Sequence, residues 1–409
     1  MSHTEPQSNR KFWQNKRPTA QKTAVLHLAP DLEIGANARE MLDMAIQTHR
    51  AGWRPLAATA GGPWVIEAER AAIRHTEIPF GKDHSFSQLR SRHIVSRLIA
   101  REHPALIHAH GFEMINLATK LARKHKIPFL LDLTTPAPVT GTQRRILQRA
   151  ATCGARFRVP TDYMAQHLRD DFKLETKFLY RVYPGVDLNW YEAVRVTPER
   201  IHKLSKLWRL PEQASVIIMA TPFTPGAGHQ DLLKTLGALK NKDIFLVLIS
   251  HDRHNPGTRA KIEKMLVAYG LEGKVIMPEL CTDWPAACWL ASLVVATNTL
   301  PRGQAPELLA AQAIGRPVIV TDCGANAELV QKDKTAWVIP PEDNKGLYKA
   351  FNEALAMSPP RRIDVAIATR DFVCDYFPMD VWRDSLFEIY DAMLAQPMPQ
   401  PMPQLRRVS

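Results

Sequence analysis

Five cysteines in 409 residues, Cys153, Cys281, Cys288, Cys323 and Cys374, are too few and too scattered for a disulfide framework, and none stands at metal-ligand spacing. They read as reduced thiols, so the chain is expected in the cytoplasm. No apolar run approaches the roughly 18 residues that span a bilayer. Residues 1–22 are polar and basic without an apolar core, so no secretory signal is expected either. A nucleic-acid module is missing and basic residues are spread along both halves, which argues against nucleic acid as a partner. There is no short-period repeat.

What is present is an ordinary globular composition, 45% hydrophobic and 23% charged, in a chain of 409 residues. Single cores stop growing at roughly 250 to 300 residues, so two domains are expected. The net charge of +12 admits an anionic membrane surface or a phosphorylated substrate as partner, besides a plain solvated surface. Lys11, Lys16, Arg17 and Lys22 precede the first strand, and Arg144, Arg145 and Arg149 fall in an expected helix. A basic face on the first domain would attract anionic lipids at about 1 kcal/mol per residue near the surface.

Short continuous apolar runs alternate with helical periodicity. The first half predicts strands over Ala24–Ala29, Pro55–Thr59, Thr76–Phe80, Ala105–His110, Pro128–Leu133 and Phe157–Pro160. Helical patterns between them include Asn37–Ala51, Phe86–Glu102 and Glu113–Lys126. The second half predicts strands over Val216–Thr221, Ile244–Ser250, Lys274–Leu280, Leu293–Asn298, Pro317–Thr321 and Trp337–Ile339. Such strands belong to parallel sheets covered on both faces, so the expected class is α/β with two doubly wound, Rossmann-like domains facing a cleft. The expected divisions are a disordered basic tail (1–22), a first domain (23–190), a linker (191–212), a second domain (213–377), an amphipathic helix (378–396) and a disordered Pro/Met tail (397–409).

Several local patterns carry chemistry. Glu33-Ile34-Gly35-Ala36 follows the first strand, where Gly35 either lets the backbone approach a ligand or simply makes a turn. Ile107-His108-Ala109-His110 closes another strand, with His110 at its end. The segment Pro301-Arg302-Gly303-Gln304-Ala305-Pro306-Glu307 leads into Ala311-Gln312-Ala313-Ile314-Gly315-Arg316-Pro317-Val318-Ile319. Pro306 and Glu307 suit the first turn of a helix, whose free N–H groups around Gln304 to Glu307 offer an anion site. Glu307 either complements the helix dipole or reaches a ligand hydroxyl.

In this order, with Thr321-Asp322-Cys323-Gly324 and Thr335-Ala336-Trp337-Val338-Ile339-Pro340-Pro341 following, these patterns resemble the retaining GT-B glycosyltransferases of family 4 over Thr23 to about Gln396. The resemblance implies that the helix over 378–396 crosses back to the first domain. It implies donor-binding roles around Gly35, Arg302, Gln304, Ala305 and Glu307, and makes His110 the candidate catalytic residue. It also exposes departures. Arg302 and Ala310 stand where the family has glutamates for the donor sugar and the ribose, and Thr134 stands where it has a histidine. In Pro222-Phe223-Thr224-Pro225-Gly226-Ala227-Gly228-His229, Phe223 and Gly228 stand where it has the Arg and Lys that balance the leaving diphosphate. One preorganised donor of that kind is worth about 3 to 4 kcal/mol. Arg302 and His229 are the remaining candidates for positive charge there.

Two functions follow. The first is transfer of a hexose from a nucleoside-diphosphate sugar to a lipid-linked or saccharide acceptor in envelope polysaccharide synthesis, retaining, with no cofactor and no metal, by a protein peripheral at the inner face of the inner membrane. The second is an inactive relative that serves as a binding or partner subunit. Sugar epimerisation by the same architecture finds no set of cleft carboxylates to abstract a proton.

Overall fold

The computed structural model describes residues 23–81, 84–192, 194–239, 243–250, 256–278, 281 and 283–395. The tails expected over 1–22 and 397–409 lie outside these residues.

Two parallel sheets account for the strands. The first contains β1 (Ala24–Leu28), β2 (Arg54–Thr59), β3 (Arg74–Glu77), β4 (Leu106–His110), β5 (Phe129–Asp132), β6 (Arg156–Val159) and β7 (Leu179–Arg181), in the order β3-β2-β1-β4-β5-β6-β7. The second contains β8 (Ser215–Ala220), β9 (Ile244–Ile249), β10 (Val275–Ile276), β11 (Ala291–Ala296), β12 (Val318–Thr321) and β13 (Ala336–Ile339), in the order β10-β9-β8-β11-β12-β13. Both orders reverse direction beside the first strand, between β1 and β4 and between β8 and β11. Connections leave in opposite directions there and open a crevice at the carboxyl ends of the strands.

Alternation along the strands fills both faces. Ala24, Leu26 and Leu28 of β1 pack beneath the helices His84–Glu102, Ile115–His125 and Gly141–Thr152. Val25 points to the other face, where the last helix, Met379–Ala395, lays Trp382, Leu386, Ile389, Tyr390 and Met393 on Val25, Leu106 and Leu130. The final helix is therefore part of the first domain's core. The chain crosses between domains twice, side by side. Val186 N donates to Phe377 O at 2.8 Å, and a Cβ on Gly185 would sit 2.6 Å from Trp382 Cβ, so only glycine permits the approach. Within 191–212 the helix Pro198–Leu207 buries Leu204, and Trp208 follows it into the second domain's core.

Several elements differ from the sequence expectation. Of the strand expected over Lys274–Leu280 only Val275–Ile276 pairs, and 279 and 280 lie outside the described residues. β3 lies at Arg74–Glu77, ahead of the apolar run at 76–80, because it is a half-exposed edge strand of polar residues. β7, at Leu179–Arg181, is only three residues long and half-exposed, too short for an alternation signal. The helical pattern Glu113–Lys126 divides into a 3₁₀ turn, Phe112–Met114, and the helix Ile115–His125, ending at Lys126 in a left-handed conformation.

Candidate functional site at the domain cleft

Parallel pairing places five polar residues from four strands on the same face of the first sheet, two of them from β4. His27 faces His108 across β1 and β4, His110 faces Asp132 across β4 and β5, and Asp132 faces Arg158 across β5 and β6. Arg158 is fully buried and donates to Asp132 at 3.0 Å, to Glu40 of the first helix, Ala36–Arg50, at 2.6 Å and to Val182 O at 3.0 Å. Burial alone would raise the Asp132 pKa, but Arg158 and His110 hold it below the usual range. Glu40 stays raised, because desolvation outweighs the same guanidinium. Burial, reinforced by the neighbouring rings, keeps His27 and His108 neutral.

His110 is buried within this layer. Its Nε2 lies 3.1 Å from His27 Nδ1 and its Nδ1 lies 3.5 Å from Asp132 Oδ2. Both ring nitrogens face protein groups. Gly35 precedes the first helix in extended backbone that any residue adopts, and a Cβ there would meet nothing within 4 Å. That helix has no side-chain cap and no acidic residue in its first turn, so its leading amides stay available to an anion.

The second domain closes on this end of the first through the loop before the helix Pro306–Ala313. Gln304 Nε2 donates to Asn37 Oδ1 at 3.1 Å, and Thr134 Oγ1 donates to the same oxygen at 3.0 Å. Thr161 Oγ1 donates to Gly303 O at 2.9 Å, and a Cβ on Gly303 would lie 2.2 Å from Thr134 O. Glu328 receives the backbone N–H groups of Asp162 and Tyr163 at 2.7 and 2.6 Å. Ala305 is buried at the helix start, and Gln304 Oε1 is buried without a hydrogen-bond partner.

Arg302 and Glu307 pair with each other, Glu307 almost wholly buried and Arg302 partly open. Ala310 faces Cys288 and Ile314, in the core. In the same domain, Phe223 is buried and Gly228 has φ +85°, with its missing Cβ only 1.8 Å from Thr297 O. No side chain fits at 228. His229 is also buried, edge-on to Phe223 at 5.3 Å, and desolvation lowers its pKa to about 4. The expectation that His229 supplies positive charge is therefore corrected: its ring is neutral at neutral pH, because nothing nearby offsets the cost of burying the cation.

The residues legible as motifs thus divide. Gln304 and Gly303 meet the first domain directly, and Arg302 meets Glu307, while His110 belongs to the buried layer. Asn37, Glu40, Asp132, Arg158 and Thr161 complete the cleft and carry no motif of their own, whereas Glu328 belongs to the turn pattern that begins Thr321-Asp322-Cys323-Gly324. One signal was available: a polar residue at matching depth in otherwise apolar strands, as in Leu26-His27-Leu28, Leu131-Asp132-Leu133 and Phe157-Arg158-Val159.

Residues 38–190 match the family model described as Glycosyltransferase Family 4, and residues 214–357 match the one described as Glycosyl transferases group 1. No curated protein matches the chain in sequence. A glycosyltransferase from Rickettsia africae ESF-5 has a similar structure, with TM-score 0.81 at 18% identity, over 92% of this chain and 99% of that one. Anabaena Alr3699/HepE in complex with UDP and glucose gives TM-score 0.79 at 17% identity, over 90% and 99%. WaaG, a glycosyltransferase involved in lipopolysaccharide biosynthesis, gives TM-score 0.69 at 14% identity, over 90% and 99%. At these identities the likeness is one of fold, the two-domain GT-B arrangement.

Proposed function

We propose, of a chain that belongs to the GT-B glycosyltransferases through its family 4 first domain and its group 1 second domain, that it transfers a hexose from a nucleoside-diphosphate sugar to a saccharide or lipid-linked acceptor. The observation that carries this reading is Gln304. It stands between the domains, donates to Asn37, and leaves Oε1 buried without a partner at the junction of two switch-point crevices. A buried acceptor left unpaired costs about 1 to 3 kcal/mol, which a ligand hydroxyl would recover. The uncapped amino end of Ala36–Arg50 lies on the same side, beyond Gly35, and suits a diphosphate.

The reaction proposed is retaining and needs neither cofactor nor metal at the diphosphate. Negative charge growing on the leaving group would be met by helix amides and by Arg302, once the ligand competes with Glu307 for the guanidinium. Ala305 and Gly303 give the backbone its close approach, and Glu307 is left to accept from a ribose hydroxyl. His110, with both nitrogens engaged, orients the cleft floor through Asp132 instead of meeting the acceptor.

A second reading, an inactive relative that binds or stabilises a partner, is favoured by one observation. The backbone at Gly228 excludes any cation, and Arg302 is already neutralised by Glu307. Calorimetry against nucleotides and nucleotide sugars separates the two readings. Heat of binding with a nucleoside diphosphate, lost in Gln304→Ala, supports the transferase. A folded protein giving no heat with any common nucleotide sugar at millimolar concentration overturns it.

The acceptor and the envelope role are proposed from the first domain's surface. The helices His84–Glu102, Ile115–His125 and Gly141–Thr152 cover one face and expose Arg90, Arg92, Arg97, Lys120, Arg123 and Arg145, with Glu102 the one acidic residue among them. No helix among the described residues is long and apolar enough to cross a membrane. Such a face suits peripheral contact with anionic lipids at the inner membrane, where a lipid-linked acceptor would be met. Co-sedimentation with anionic vesicles that salt abolishes supports this, and equal sedimentation with neutral vesicles counts against it.

A further inference from the structure

The geometry points to a binding site for one divalent transition-metal ion, zinc by its chemistry, formed by His27, His108 and His110 between the first sheet and the final helix. One ring nitrogen from each of the three lies within 4.8 Å of the others. Zinc binds imidazole nitrogen at about 2.0 to 2.1 Å, so tetrahedral ligands stand about 3.3 to 3.4 Å from one another. His27 Nδ1 and His110 Nε2 are already 3.1 Å apart. The His108 and His110 ring centroids are 4.2 Å apart, so a small rotation brings the third nitrogen in.

The surroundings of the rings have the form of an outer shell. His108 Nδ1 lies 2.7 Å from Tyr390 Oη, which leaves Nε2 as its ligand atom, and that atom is buried with no partner. His110 Nδ1 faces Asp132 Oδ2, which leaves Nε2 on the side of His27. Metal-bound histidines habitually donate their second N–H to a carboxylate or another oxygen in this way. With His27 bound through Nδ1 and His110 through Nε2, the ion would give His108 Nε2 the partner it lacks in a dry interior.

Charge supports a cation. Asp132 and Glu40 share the single guanidinium of Arg158, two carboxylates against one positive charge, with Asp132 and Arg158 buried and Glu40 partly so. Three imidazoles without thiolate favour zinc, nickel or copper(II) over magnesium or calcium. The ion would tie β1 to β4 and, through Tyr390, hold the final helix on the sheet. It would act structurally, and the inference does not rest on the transferase reading. Because the rings are buried, uptake and loss would be slow and would require the final helix to lift.

The test uses the full chain without a polyhistidine tag, stripped by a chelator under mild denaturation and refolded with zinc ion. The expected result is one zinc per chain by elemental analysis, a higher Tm, and an X-ray absorption spectrum with nitrogen neighbours at about 2.0 to 2.1 Å and no sulfur. His27→Gln and His108→Gln should each weaken zinc binding by well over tenfold. Tyr390→Phe, which removes only the outer contact, should weaken it by about tenfold with the nitrogen shell intact. Removing zinc should increase hydrogen exchange across Met379–Ala395. A folded wild-type chain that takes up no zinc from an equimolar solution overturns the proposal, as does a shell containing sulfur. If either glutamine variant fails to fold, the wild-type absorption spectrum decides alone. Zinc retained equally by folded variants overturns it too.

Discussion

The two walls of the cleft have been built from opposite materials. The first domain's wall buries charge, with Arg158, Asp132 and Glu40 stacked behind three histidines beneath the end of its sheet. The second domain's wall offers little free charge: Phe223 is apolar, Gly228 has no room for a side chain, His229 is neutral, and Arg302 is paired with Glu307. The first arrangement is costly to create and costly to disturb, since each buried ion depends on the others. The second holds no such network, and its residues are fixed by packing, Phe223 in the core and Gly228 against Thr297.

The sharpest way to break this contrast is Arg158→Met. Removing one partner of a buried ion network leaves two uncompensated carboxylates, so stability should fall by about 3 to 5 kcal/mol in urea unfolding. A loss below 1 kcal/mol would mean that the first wall is no more committed than the second. Next in size is Arg302→Ala, which should weaken a nucleoside diphosphate by about 1.5 to 3 kcal/mol, the range for a charged hydrogen bond, as measured by calorimetry. No change in affinity would leave that arginine as a mere counterion for Glu307.

The pH dependence tests the neutral histidine of the second wall. His229 has a folded pKa of about 4 against about 6.5 unfolded, so below pH 6.5 the unfolded chain takes up a proton that the folded one refuses. Stability is complete above that point and declines on acidification, by about 2 kcal/mol between pH 7 and pH 5 from this group. The His229→Leu variant should show a correspondingly shallower decline in denaturation midpoints over that range, and parallel curves would refute the assignment. The smallest effect belongs to Glu328→Gln, which weakens two backbone hydrogen bonds between domains. It should cost about 1 kcal/mol and raise hydrogen exchange at Asp162 and Tyr163.

Much of the fold was legible because buried parallel strands announce themselves as short apolar runs. β3 and β7 escaped because edge strands need not be apolar, and their pairing depends on neighbours distant in sequence. At the site, Gln304 and His110 could be picked out from local pattern, yet what surrounds them could not. Arg158 meets Glu40 across 118 positions and Asp132 across 26, and only strand order brings them together. The absence of cations was equally legible at Phe223. At Gly228 the structure adds a reason that the letters lack, since the carbonyl of Thr297 occupies the space where any side chain would begin.

The paired crossing at Val186 and Pro378 bears on how such a molecule can move. A single connection would let one lobe swivel freely about the other. Two backbones running in the same place, clasped by the Val186–Phe377 hydrogen bond and by Gly185 set against Trp382, leave a hinge with essentially one axis. Opening of the cleft then becomes a bending mode, with Gln304 and Gly303 parting from the first domain together as one edge, while Glu328 lies beside the hinge through Tyr183. Admission of a ligand would be a single gated event, with a rate set by how quickly that edge unfastens.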